Sequence, residues 1–227
     1  MDSHIRTTGI REIIFGAEDG IVTTLGVVLG VAAAGNASTL IVIVAGLAAM
    51  LAEAISMGVG SYLSAKSQRE LVEEQMRIER QEMKEKPDEE RKEISDIYYK
   101  KGFRGKELSS IVKKITSNKK LWLQEMLVWE LGIMPKKNEV PSKTATIFFL
   151  ASLLGIIPIL PFLFLSVTSA IPYSVILGFG TLFLTGALKT KLTKRSWLKS
   201  GSEMMMLGIL AALAGYAIGA LLGAPAV

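Results

Sequence analysis

The sequence predicts an all-α membrane protein with five spans and a helical insert between spans two and three. Three observations predict it. First, the apolar stretches form five blocks, roughly 13–34, 38–64, 144–166, 171–188 and 201–223. A helix needs about 20 apolar residues to cross the hydrocarbon layer. Four blocks have that length, and Ile171–Leu188 is near the lower limit. Second, the basic residues fall in alternate segments. Arg6 and Arg11 precede span one, nineteen Lys and Arg lie from Lys66 to Lys143, and five lie from Lys189 to Lys199. The links Gly35–Ala37 and Val167–Ala170 carry none, nor does the tail. Cytoplasmic segments accumulate Lys and Arg, so the N-terminus, the insert and the loop between spans four and five are predicted to be cytoplasmic and the C-terminus outside. Third, 50% of the 227 residues are hydrophobic while 21% are charged. That combination conflicts for one globular domain and suits a membrane bundle with a charged insert.

Span one follows a start, Met1–Arg11, that lacks the basic head, short apolar core and small-residue cleavage site of a signal peptide. It is expected to be retained. Span two shows no stop at its cytoplasmic end. Leu63–Lys86 has no Gly or Pro and is rich in Glu, Gln, Arg, Lys and Met, all strong helix formers. One helix is therefore predicted to leave the membrane and continue to about Lys86. Pro87 breaks it and opens a second helix, with Asp88, Glu89 and Glu90 suited to an N-terminal turn. Gly102 ends that helix. A third begins near Lys106, and a fourth covers Lys119–Leu131, stopped by Gly132 and Pro135. Lys136–Pro141 links back to span three. The predicted division is 1–65 for spans one and two, 66–143 for the insert, and 144–227 for spans three to five.

Small-xxx-small spacing recurs at Gly16/Gly20, Gly26/Gly30, Ala54/Gly58, Gly215/Gly219 and Gly219/Gly223. It lets helices approach closely in lipid, either within one chain or between two. The net charge of +5 follows from the positive-inside bias, and the insert mixes nineteen basic with fifteen acidic residues, a solvated surface rather than a nucleic-acid groove. With no Cys and one His, disulfides, zinc ribbons and His-rich metal sites are excluded. A metal site must be built from carboxylates, carbonyls, waters and Met.

Three acidic residues sit well inside spans: Glu18, Asp19 and Glu53. Glu12 and Glu203 lie at span ends, where water is near. An ionisable group at a span centre costs about 2.5–3.5 kcal/mol and usually marks a substrate or proton path. If spans one and two are antiparallel neighbours, Asp19 and Glu53 lie at similar depth. Met57 and Met50 share a helix face with Glu53. Two carboxylates and a thioether suit a partly dehydrated Fe²⁺ or Mn²⁺, and the carboxylates can also exchange protons. The competing expectation is that Glu18 and Asp19 snorkel or cap and that the Mets only pack. In the insert, Glu79/Glu82 and Glu90/Glu93 each share a face, on helices that fold back across Pro87. Such Glu-x-x-Glu pairs can form a carboxylate cluster, with Met126 and Glu130 added from the fourth helix. By spacing alone the signal is weak, and a salt-bridged surface is the favoured reading.

Two segments resemble the signature of the vacuolar iron transporter family: Phe15–Thr24, with its Asp19-Gly20 pair, and Ala54–Ser67, which reads AISMGVGSYLSAKS. Glu90–Glu93 after Pro87, and Trp122–Gly132, resemble that family's cytoplasmic metal-binding domain. The resemblance spans essentially the whole chain. It implies export of Fe²⁺, often also Mn²⁺, from the cytosol in exchange for protons, by a homodimer whose path lies at the two-fold interface. Carried over by position, Asp19 and Met57 match path residues, and Glu79, Glu82, Glu90, Glu93, Met126 and Glu130 match insert ligands. The family's span-two Glu falls where this chain has Ala49, so Glu53 is read as its substitute, and Leu127 stands where a second Met often follows. No enzyme is expected: Glu-x-x-His pairs of di-iron oxidases are missing, as is a phosphate-binding loop for ATP drive. No cofactor beyond the transported metal is expected. An uncoupled channel and a membrane-anchored metal sensor or store are the rival expectations. The membrane is expected to be the cell membrane if the source is prokaryotic, the vacuolar one if eukaryotic.

Overall fold

The computed structural model describes residues 3–35, 37–133 and 140–223. The expected Lys136–Pro141 linker and the stop at Pro135 lie largely outside these residues, as do Asn36 in the first link and the last four residues of the tail. Every described element is helical: α1 Ser3–Ala33, α2 Thr39–Glu85, α3 Pro87–Lys100, α4 Gly105–Thr116, α5 Lys119–Trp129, α6 Pro141–Ser152, a 3-10 helix Leu153–Leu163, α7 Val167–Thr193 and α8 Trp197–Gly223. Five of these stretches are long and apolar enough to cross a membrane: Gly9–Ala33, Thr39–Glu85, Pro141–Leu163, Val167–Lys191 and Trp197–Gly223. The chain is a multi-pass membrane protein, and it divides into two compact units, 1–63 with 140–227, and 64–139.

In the first unit α1 packs against α6, the 3-10 helix, α7 and α8. Its glycines make that possible. A Cβ on Gly30 would lie 2.9 Å from the Gly215 carbonyl oxygen, and a Cβ on Gly16 2.9 Å from the Ala151 Cβ. The small-residue pairs on spans one and five are thus used within one chain, where backbones approach closely enough for dispersion to replace the hydrophobic drive that lipid removes. Leu25, Val28, Leu29, Val42, Ile159 and Phe162 form the core. The first half of α2 joins it through side chains: Val42 is fully buried, and Gly46 leaves room for Val28 and Ile159. Its other face exposes Leu40, Val44, Leu51, Ile55 and Val59.

Span three departs from expectation. A single α-helix over 144–166 was predicted, yet the winding tightens to 3-10 after Ser152. The cause is Pro158 and Pro161, three residues apart. Each removes a donor from the ladder, and a hydropathy profile does not register that loss.

The second unit has its own core of Ile94, Ile115, Trp122 and Met126. Pro87 opens α3 with Asp88, Glu89 and Glu90 in the first turn. Gly102, at φ 104°, follows the helix end. Asn118 caps α5, accepting from the Lys120 and Leu121 amides at 3.1 and 3.2 Å. Helix α2 runs unbroken to Glu85, as the absence of Gly and Pro predicted.

Candidate metal centre

Three helices of the second unit each bring one carboxylate to a common point. Glu79 comes from α2, Glu90 from the first turn of α3, and Glu130 from the residue that ends α5. One oxygen of each lies within 4.8 Å of the others. Glu79 is 3% exposed and Glu90 5%, values far below those of the remaining acids on α2. Arg69 and Arg77 take Glu73 and Glu74 into exposed ion pairs, and Lys66 takes Glu70. Glu79 has no basic partner among the described residues. The ordinary surface reading thus holds for those three and fails for Glu79.

The electrostatics follow from that burial. Desolvation, then the contact with Glu90, then the charges of Glu130, Glu90 and Glu82 push the Glu79 carboxyl up to about 8. Glu130, the exposed member of the three, is pushed up to about 7 by partial desolvation and by Glu93, Glu90 and Glu82. Glu90 is also raised, by burial first, and is partly relieved by the proton it shares with Glu79. Oxygens of Glu79 and Glu90 are buried without a hydrogen-bond partner. Carboxylates this close cannot all be ionised unless a cation lies among them. A divalent ion with a preference for oxygen ligands fits this set.

Glu93 lies outside the triad but within hydrogen-bond range of Glu130, and the charge of Glu82 acts on all three members. Met126 shares the Glu130 face one turn earlier and is fully buried in the core with Ile94 and Trp122. Glu125, a neighbour in sequence, is drawn off by the Tyr98 hydroxyl, which donates to it at 2.8 Å.

In the first unit α1 and α2 set Asp19 and Glu53 within hydrogen-bond range of each other. Both are half-buried, as is Met57 one turn along α2. Glu18 lies about 100° away around the helix, and the charges of both Lys189 and Asp19 act on it. Glu12, expected near water, is buried with an unpaired oxygen. Its place seven residues before Asp19, two turns along the same face, was the available signal. Ser61, eight residues after Glu53, also buries an unpaired hydroxyl.

These features agree with what the chain resembles. A family model described as the VIT family matches residues 10–220. Vacuolar iron transporter 2 of Oryza sativa subsp. japonica is 32% identical over 209 residues, 91% of this chain and 85% of that protein. Vacuolar iron transporter 1 of Arabidopsis thaliana is 33% identical over 211 residues, 92% of this chain and 84% of that one. The vacuolar iron transporter of Toxoplasma gondii is 33% identical over 234 residues, covering 97% and 77%. With a match that extends over nearly its whole length, the chain belongs to the VIT family.

Proposed function

We propose that this protein exports Fe²⁺, and also Mn²⁺, from the cytosol in exchange for protons, working as a homodimer and not as an enzyme. The observation that carries the reading is the Glu79–Glu90–Glu130 group, two of its carboxylates buried, with no cationic partner among the described residues and raised toward neutrality. In this reading residues 66–143 are a cytoplasmic insert that captures metal with Glu79, Glu82, Glu90, Glu93, Met126 and Glu130. The path lies in the membrane segments 1–65 and 144–227, past Asp19, Glu53 and Met57. Relatives named as iron transporters support the cargo. The basic residues flanking alternate spans support a cytoplasmic N-terminus and insert.

Coupling needs no covalent step. A carboxylate that binds either a proton or a metal ion exchanges one for the other as the site faces each side in turn. Met57 offers a soft sulfur ligand, which favours Fe²⁺ over Mg²⁺ and Ca²⁺. Uptake of Fe²⁺ and Mn²⁺ into proteoliposomes, with and without an imposed pH gradient, tests this. The expected result is uptake that an opposing proton gradient accelerates. Uptake indifferent to the gradient would establish an uncoupled channel. Metal binding with no uptake would establish a membrane-anchored sensor or store.

A further inference from the structure

The carbonyls of span three carry information about its register. In a 3-10 helix each N–H reaches the carbonyl three residues back, and proline brings no N–H. Across Leu153–Leu163, Pro158 therefore leaves the Gly155 carbonyl without a backbone donor, and Pro161 leaves the Pro158 carbonyl without one. Both residues are buried. Ser174, fully buried on α7, donates its hydroxyl to the Pro158 carbonyl at 2.7 Å. An α-helix would leave a different pair short, the carbonyls of Leu154 and Ile157, four residues back from each proline. Its Pro158 carbonyl would instead receive the Phe162 amide. The Ser174 bond thus belongs to the 3-10 register and not to the α register.

The same stretch meets α1 where the backbones are closest. A Cβ on Gly20 would overlap the Ser152 carbonyl, and a Cβ on Gly155 would stand 2.6 Å from the Thr24 hydroxyl. That hydroxyl is buried and makes no hydrogen bond. Gly20 follows Asp19 directly, so the winding of span three decides which backbone atoms bear on the α1 turn that carries Asp19. A 3-10 helix rises about 2.0 Å per residue and an α-helix about 1.5 Å, so rewinding eleven residues would shorten the segment by roughly 5 Å.

We infer that Ser174 is a positioning residue for transport: by satisfying the Pro158 carbonyl it holds span three in the 3-10 register and so seats the α1 turn beside Asp19. The functional half of this inference rests on the transport reading above; the structural half does not. Three variants of the full-length protein test it: S174A, P161A and the two combined. P161A restores an N–H at position 161, which in the 3-10 register meets the very carbonyl that Ser174 serves. In lipid nanodiscs S174A is expected to lower the melting temperature by about 4 °C, and in proteoliposomes to slow metal uptake about tenfold. Metal binding at the Glu79–Glu90–Glu130 group, measured by calorimetry, should stay at the wild-type value. Adding P161A should restore both melting temperature and uptake rate. A defect in S174A that P161A does not relieve, or no defect at all, overturns the register assignment. Recovery of melting temperature without recovery of uptake overturns the positioning role. If the wild type moves no metal, the transport reading fails, while the melting series still decides the register.

Discussion

The molecule carries two carboxylate groups built on different principles. In the second unit, three helices packed on an ordinary hydrophobic core converge three Glu side chains, with Glu82 and Glu93 alongside. In the first, two helices bring Asp19 against Glu53, with Met57 one turn away. Ligand number separates them. Three or more carboxylates offer enough charge to hold a divalent ion against water. Two carboxylates and a thioether offer less, and a site through which ions pass must bind well enough to admit them and weakly enough to release them. In the function proposed above, the three-Glu group retains the ion and the Asp19–Glu53 pair passes it, and each variant below can break or sharpen that contrast.

The largest effect is expected at the pair. Asp19→Asn keeps size and hydrogen bonding but removes the charge and the exchangeable proton. Metal uptake in proteoliposomes should fall to background while metal binding by the second unit persists. Near wild-type proton-coupled uptake by this variant would dissolve the division of labour. Glu53→Gln should follow the same pattern with a smaller loss, because Asp19 remains to bind the ion.

At the triad the expected effect is on affinity and has an instructive sign. Glu79→Gln removes a ligand, and calorimetry on the full-length protein should show metal affinity lower by about a hundredfold. The same change removes like-charge repulsion and a desolvated charge, so the metal-free protein should become more resistant to unfolding at pH 8. A variant that lost affinity and stability together would mean that Glu79 holds the fold rather than the ion.

Protons report on the same balance. Glu79 and Glu130 are raised to about 8 and about 7 from an ordinary 4.5. Between those limits the folded unit binds more protons than the unfolded chain does, so without metal its stability must fall as pH rises from about 4.5 to 8. The stabilisation is complete below the ordinary value and lost above the folded ones. Metal displaces those protons, so affinity should climb over the same window. Hydrogen exchange in α3 and α5 is the measurement: metal-free protection should be higher at pH 5.5 than at pH 8, after correction for the intrinsic exchange rate. Equal protection at the two pH values would place the cluster's charges in solvent.

Much of this was legible in the sequence, for reasons that show where legibility stops. The length of α2 followed from the absence of Gly and Pro over 63–86, and the α3 start from Pro87 with its acidic turn. The five spans followed from length and hydropathy. The 3-10 winding was hidden because Pro158 and Pro161 sit inside an unbroken apolar run. The burial of Glu79 was hidden too: Glu73, Glu74 and Glu79 look alike along α2, and only the approach of α3 and α5 distinguishes them. The Tyr98–Glu125 bond joins residues 27 apart, a separation at which local pattern carries nothing.

The smallest effects should come from side chains near the pair that do not share its chemistry. Met57→Leu roughly conserves volume and removes the sulfur. Folding should be unchanged and uptake of Fe²⁺ reduced relative to harder ions, seen as a changed ratio of rates in competition assays. Glu18→Gln should do least of all. Glu18 lies on the same turn as Asp19 but about 100° away around the helix, and the opposing charge that acts on it is that of Lys189. Charge interactions between partly exposed groups are worth about 1 kcal/mol or less, and uptake should stay within about threefold of wild type. If Glu18→Gln instead abolished uptake as Asp19→Asn does, Lys189 would have to be counted among the groups lining the path. The passage site would then be a charged cluster of the same kind as the triad, and the contrast between the two units would lose its basis.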